Sequence, residues 1–159
     1  MAGATIKHSS IETNLVALLW IALRGRPCRP IFSNQRLRAL DNERAVYADG
    51  IVVCGRPVQH PDDDDAVTNP VGVFEVLSKS TEAFDRGDKF AWYRTFPTVR
   101  SVVLIAQKSV RVERYRRDDQ GVRSLTDLGA DGTLELPEIG VSLALAELYE
   151  NTEAGEAVG

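Results

Sequence analysis

Two short stretches, residues 71–77 (V-G-V-F-E-V-L) and 101–106 (S-V-V-L-I-A), are apolar along nearly their whole length. Runs this short, without polar alternation, read as buried strands. A sheet that holds them needs helices on its faces, and the chain supplies them. Ser9 and Glu12 stand at capping-box spacing, after which Ile11, Leu15, Leu18, Leu19 and Ala22 share one helical face until Gly25 and Pro27. Ser80 or Thr81 is the expected cap of a second helix that carries Phe84, Phe90, Ala91 and Tyr93 and stops at Pro97.

Between the helices, residues 28–32 and 36–40 read as one broken strand or two short ones. Asp41, Asn42 and Glu43 form a turn, and residues 45–54 return as the second arm of a hairpin. Gly55, Pro57, Pro61, the four aspartates at 62–65 and Asn69-Pro70 mark a surface loop, with the aspartates solvated rather than holding a cation. Residues 110–117 alternate apolar and charged and join through 118–121 to residues 122–128. A last helix is expected at 143–149. The order of helix, three strands, helix, strand, hairpin and helix describes an α/β fold with a mixed central sheet flanked by helices. Residues 1–150 are expected to form one domain and 151–159 a flexible C-terminal tail.

Composition narrows the function. The longest apolar run, residues 15–23, has nine residues, about half of what a bilayer requires, so no membrane partner is expected. Lys7 precedes it, but Glu12 and Asn14 interrupt the pattern of a secretion signal. Cys28, Cys54, His8 and His60 show no zinc-ligand spacing, and two cysteines without a framework fit a reducing cytoplasm. The net charge of −4 argues against a sequence-independent DNA coat. Its distribution is uneven: residues 1–40 hold 6 basic and 1 acidic side chains, 41–75 hold 2 and 8, 86–123 hold 10 and 4, and 124–159 hold 0 and 8. No phosphate-binding glycine loop, nucleophile elbow or dinucleotide fingerprint is present.

The chemistry concentrates on one carboxylate. Glu75 interrupts an apolar strand, where an unpaired charge costs several kcal/mol, so it must be paired, protonated, at an edge or bound to a cation. Lys89 on the following helix is its natural partner, and the simplest reading is an ion pair tying that helix to the sheet. The alternative is a metal site. Asp49, in the second arm of the hairpin, and Glu75 on a neighbouring strand form a pair able to hold Mg²⁺, with Lys89 orienting a water. Such a set hydrolyses phosphodiesters, because charge building on the phosphate is neutralised as the water attacks.

The segment 69–93, N-P-V-G-V-F-E-V-L-S-K-S-T-E-A-F-D-R-G-D-K-F-A-W-Y, resembles the signature of the Uma-type restriction endonucleases, within the PD-(D/E)XK nuclease superfamily. The likeness extends through His8, Asn14-Leu15, residues 47–54 and 110–117 to Leu134-Glu135-Leu136-Pro137 and Gly140-Val141. It implies a restriction-endonuclease-like fold with an αβββαβ core and a C-terminal hairpin. It further implies a Mg²⁺-dependent endonuclease acting on DNA, with Asp49 and Glu75 as metal ligands and Lys89 as the catalytic lysine. That lysine has moved onto the helix, since Leu77 occupies its usual place. The chain departs from the family at Ala48, Lys79 and Asn34, the last standing where relatives carry aspartate, and it lacks a glutamate-bearing N-terminal hairpin found in many of them. These departures motivate an alternative: a catalytically impaired relative that binds nucleic acid or protein. RNA is not distinguished from DNA as substrate, and a homodimer is expected only by analogy with enzymes that cut both strands. His8, Arg86 and Arg94 are the candidate nucleic-acid contacts, with Arg111, Arg114, Arg116 and Arg117 as further phosphate-gripping or solvated arginines. Trp20, Trp92 and Tyr93 fall at spacings that favour the core.

Overall fold

The computed structural model describes residues 4–78 and 85–158, the side chain of Asp85 excepted. Helix α1 (Ile6–Leu23) leads into β1 (Cys28–Leu37) and β2 (Val46–Cys54). After these come the short strands β3 (Gln59–His60) and β4 (Asp63–Val67), then β5 (Gly72–Val76). A wide helical turn, Asp85–Lys89, runs into α2 (Phe90–Tyr93), followed by β6 (Ser101–Ile105), β7 (Val112–Arg117) and β8 (Arg123–Leu128). The chain closes with the hairpin β9 (Thr133–Leu136) and β10 (Val141–Ala144), then α3 (Leu145–Leu148) and α4 (Glu153–Glu156).

Strands β3-β4-β1-β2-β5-β6-β7-β8 form one mixed sheet. The two apolar strands β5 and β6 lie near its centre as a parallel pair joined by the α2 crossover, with β2 antiparallel on the other side of β5. This is the mixed sheet with helices on its faces that the sequence implied. Ile11, Leu15, Leu19 and Leu23 pack α1 on one face against Val52, Phe74, Val76 and Val103, with β9, β10 and α3 completing that layer. Burying each of these aliphatic side chains stabilises the fold by about 2 kcal/mol. On the other face Tyr93 and Phe96 cover Ile51, Val73 and Leu104.

Several local expectations change. Helix α1 begins a turn earlier than Ser9, because Thr5 is its cap and its Oγ1 accepts the His8 N–H at 3.1 Å. Residues 28–37 form one strand broken by a bulge, with Ser33 and Asn34 at positive φ. The loop after Gly55 carries β3 and β4 at the sheet edge, where Arg36 Nη1 pairs with Asp63 at 3.0 Å and the neighbouring aspartates stay in solvent. Leu143 and Ala144 belong to β10, since they pair with Leu134 and Thr133. Trp20 is 57% exposed, on the side of α1 away from the Ile11-Leu15-Leu19 stripe, whereas Tyr93 is buried. Cys28 and Cys54, unconnected by spacing, are register partners of the β1–β2 hairpin and form a disulfide. The expected tail carries α4, capped by Thr152, and buries Ala154. The caps Ser80 and Thr81, with Phe84, lie outside the described residues. Among the described residues no helix is long and apolar enough to cross a membrane.

Candidate active site

The two faces of the sheet meet at the C-terminal end of β5. Because Thr5 caps α1, His8 and Glu12 stand one turn apart on the same side of the helix. His8 Nε2 reaches Asp49 Oδ2 on β2 at 3.2 Å. An ionised carboxylate only accepts, so Nε2 carries the proton. The same oxygen accepts the Val76 N–H at 2.7 Å, which ties Asp49 to the strand that bears Glu75. Burial pushes the Asp49 carboxyl up, but the His8 hydrogen bond, the Val76 amide and the charges of His8 and Lys89 hold it below the usual aspartate value. His8 is raised, first by its hydrogen bond to Asp49, and burial raises Glu12.

One polar atom is left over. His8 Nδ1 lies 3.3 Å from Glu12 Oε2, yet it is buried and makes no hydrogen bond. A proton or a cation between the imidazole and the carboxylates would relieve that arrangement. One ligand atom each from His8, Glu12 and Asp49 fall within 4.8 Å of one another. Neighbouring ligands of a small divalent ion bound at 2.0–2.2 Å are separated by about 3 Å, so this donor set fits such an ion after small adjustments.

Glu75 approaches from the other face and stands outside that group. It is 2% exposed. Its Oε1 accepts from Lys89 Nζ at 2.8 Å and from the Tyr93 hydroxyl, which also reaches the Tyr47 carbonyl. Lys89 and Tyr93 are four residues apart where the wide turn enters α2, so both face the sheet. Burial pushes the Glu75 carboxyl up to about 7; Lys89 opposes the shift and Asp49 adds to it. The structure therefore brings Asp49, Glu75 and Lys89 to one end of the sheet, with Glu75 and Lys89 paired directly.

Asp49 sits where the backbone is irregular. The β1 bulge at Ser33 and Asn34 lies opposite it, between the register pairs Phe32↔Gly50 and Gln35↔Ala48. A bulge of this kind changes which face the following side chains take. Ala48 and Ile51 both pack on the α2 side, three positions apart instead of two. Gly50 is required there, because a Cβ would stand 2.2 Å from the Phe32 ring. Asn34 is exposed on this bulge.

Of the remaining candidates, Arg86 pairs with Glu113 on β7, and Arg94 lies with its guanidinium 5.5 Å from the centre of the Phe90 ring. Neither contacts Asp49. Glu12 and Tyr93 are the site residues that sequence reasoning missed. Each stands four positions from a recognised residue, His8 or Lys89, and helical spacing was the available signal.

The family described as "Uma2: Putative restriction endonuclease" matches residues 1–146. Two proteins of Synechocystis sp. (strain ATCC 27184 / PCC 6803 / Kazusa), each described as "Uncharacterized protein", are similar to this chain. One, sll1609, is 35% identical over 128 residues, covering 80% of this chain and 72% of the relative. The other, slr1290, is 32% identical over 152 residues, covering 94% and 77%. A crystal structure from Anabaena variabilis ATCC 29413, described as "a putative nuclease belonging to DUF820", superposes with a TM-score of 0.72. It is 17% identical and covers 93% of this chain and 83% of that one, a likeness of fold.

Proposed function

This chain belongs to the Uma2 restriction endonuclease family, and from that membership we propose that it is a Mg²⁺-dependent endonuclease hydrolysing DNA phosphodiester bonds at the Asp49–Glu75 end of the sheet. The observation that carries the reading is the convergence on Asp49 of His8, Glu12 and the Val76 amide beside the Glu75–Lys89–Tyr93 cluster. Asp49 with His8 and Glu12 would hold the ion, and Glu75 is the second acidic group of the site. Bound there, the ion supplies a water of lowered pKa and neutralises charge on the scissile phosphate.

The protein's own groups account for the rest. Asp49, kept ionised, is the negative centre of the site at any pH above the aspartate range. His8, with Nε2–H donated to Asp49, would offer Nδ1 to the ion only in its neutral form, so ion binding would displace the second proton that its raised pKa favours. Lys89 holds a positive charge against Glu75 and orients an attacking water, while Tyr93 fixes the Glu75 carboxylate. The cytoplasm is the proposed compartment. The Cys28–Cys54 disulfide lies at the end of the hairpin away from Asp49. A homodimer is proposed only if both strands of a duplex are cut together.

Plasmid nicking tests the reading. Wild type with Mg²⁺ is expected to nick supercoiled DNA, and Asp49→Asn to lose that activity while remaining folded. A folded, metal-loaded wild type that cuts neither DNA nor RNA contradicts it, and leaves the fold serving as a binding module.

A further inference from the structure

A hollow lies along the neighbouring side of α2, lined by Phe90 and Arg94 and by Tyr115, whose ring centre is 4.2 Å from that of Phe90. Arginines surround it: Arg94 above the Phe90 ring, Arg100 at the end of β6, and Arg117 and Arg123 on β7 and β8. Arg117 and Arg123 are direct cross-strand partners in the register. Like charges placed opposite one another destabilise a strand pair, so this arrangement calls for an anion. Among the described residues Arg94, Arg117 and Arg123 have no carboxylate partner. Arg100 pairs with Asp119, and Arg117 Nη2 donates to backbone carbonyls of the 97–99 turn. Guanidinium groups without a carboxylate partner, set around a partly exposed aromatic pair, suit a ligand with both a planar ring and a phosphate.

We propose that this hollow is a second nucleic-acid contact, in which an unpaired base lies against Tyr115 and Phe90 and its phosphate lies between Arg117 and Arg123. The inference rests on the nuclease reading and deepens it, because a stacked base requires single-stranded nucleic acid. The Glu75 cluster is on the same face of the sheet. Arg117 shares a row with Arg100 and Val71, four residues from Glu75 along β5 and two strands across. That offset is about 16 Å at the usual rise and strand spacing. About five stacked nucleotides at 3.4 Å each would bridge the two places, so a single strand engages both only beyond that length.

Fluorescence anisotropy with labelled single-stranded oligonucleotides of four and twelve residues, in EDTA, tests the proposal without cleavage. The wild type is expected to bind the twelve-mer, and Arg117→Gln/Arg123→Gln to bind it about tenfold more weakly, with a salt slope lower by one to two. Tyr115→Leu should weaken binding while leaving the salt slope unchanged. Unchanged affinity and slope in a double variant that melts at the wild-type temperature would overturn the proposal. So would displacement of the twelve-mer by an acidic peptide at concentrations where nucleotides do not compete, or equal binding of a blunt duplex. Competition by a mononucleotide as effective as the twelve-mer would assign the hollow to a free nucleotide and overturn the strand. If the nuclease reading fails, Mg²⁺ binding and nicking are absent while this arginine-dependent binding persists; if only the hollow fails, the reverse is seen.

Discussion

Asp49 and Glu75 stand on adjacent strands at the same end of one sheet, yet their surroundings push them in opposite directions. Asp49 keeps contact with solvent, has a side chain 20% exposed, and is held charged by a titratable histidine and a backbone amide. Glu75 is enclosed by α2 and raised to about 7 by burial, with a lysine and a tyrosine as its partners. Two carboxylates whose environments separate them in this way take different roles. On the proposed reading Asp49 meets a cation from solution, and loss of Glu75 is expected to damage the fold more.

The comparison is broken most forcefully by removing each acid. Glu75→Ala leaves Lys89 buried without its carboxylate and is expected to cost about 3–5 kcal/mol in urea unfolding. Asp49→Ala leaves the Val76 amide and His8 unpaired at a more open place and should cost about 1–3 kcal/mol. A reversed order would sink the distinction. For nicking activity the ranking inverts: Asp49→Asn, which keeps the fold, should lower the rate more than about 100-fold, beyond the loss expected from removing an outer partner of a metal ligand. His8→Gln should weaken Mg²⁺ binding by about tenfold and leave urea stability nearly unchanged.

Acidity sharpens the same contrast through signs. Glu75 has a folded value raised from 4.5 to about 7, so the stability it contributes is complete below 4.5 and is lost as pH rises through about 7. Asp49 is lowered, so its contribution is present above 3.8 and is lost as pH falls. In metal-free protein the melting temperature of wild type should therefore fall relative to Glu75→Gln between pH 4.5 and 7. Relative to Asp49→Asn it should fall only on acidification below about pH 4. The same slope for both variants would show that the two carboxylates share one environment.

How much of this was legible in the sequence follows from the range of each interaction. The central strands β5 and β6, helix α1 and the Glu75–Lys89 pairing were readable, because apolar runs and a lone charge inside one are local signals. Asp49 was legible as the second arm's acid beside Glu75, and the resemblance implied its role as a metal ligand. Glu12 was read as part of a helix cap because Ser9 precedes it at the right spacing, whereas Thr5 takes that role and frees Glu12 to face Asp49. The bulge at Ser33 and Asn34 was visible only as a choice between one broken strand and two, since its cause is a register set by β2. The Cys28–Cys54 disulfide and the opposed Arg117 and Arg123 are likewise products of strand register, which spacing alone does not encode.

Calorimetric titration of Mg²⁺ into wild type, Asp49→Asn and Glu75→Gln tests the central claim most directly. The account predicts saturable binding to wild type that disappears in Asp49→Asn and persists, with altered affinity, in Glu75→Gln. Binding that survives in a folded Asp49→Asn and is lost in Glu75→Gln would contradict it and move the metal to the α2 side of the sheet.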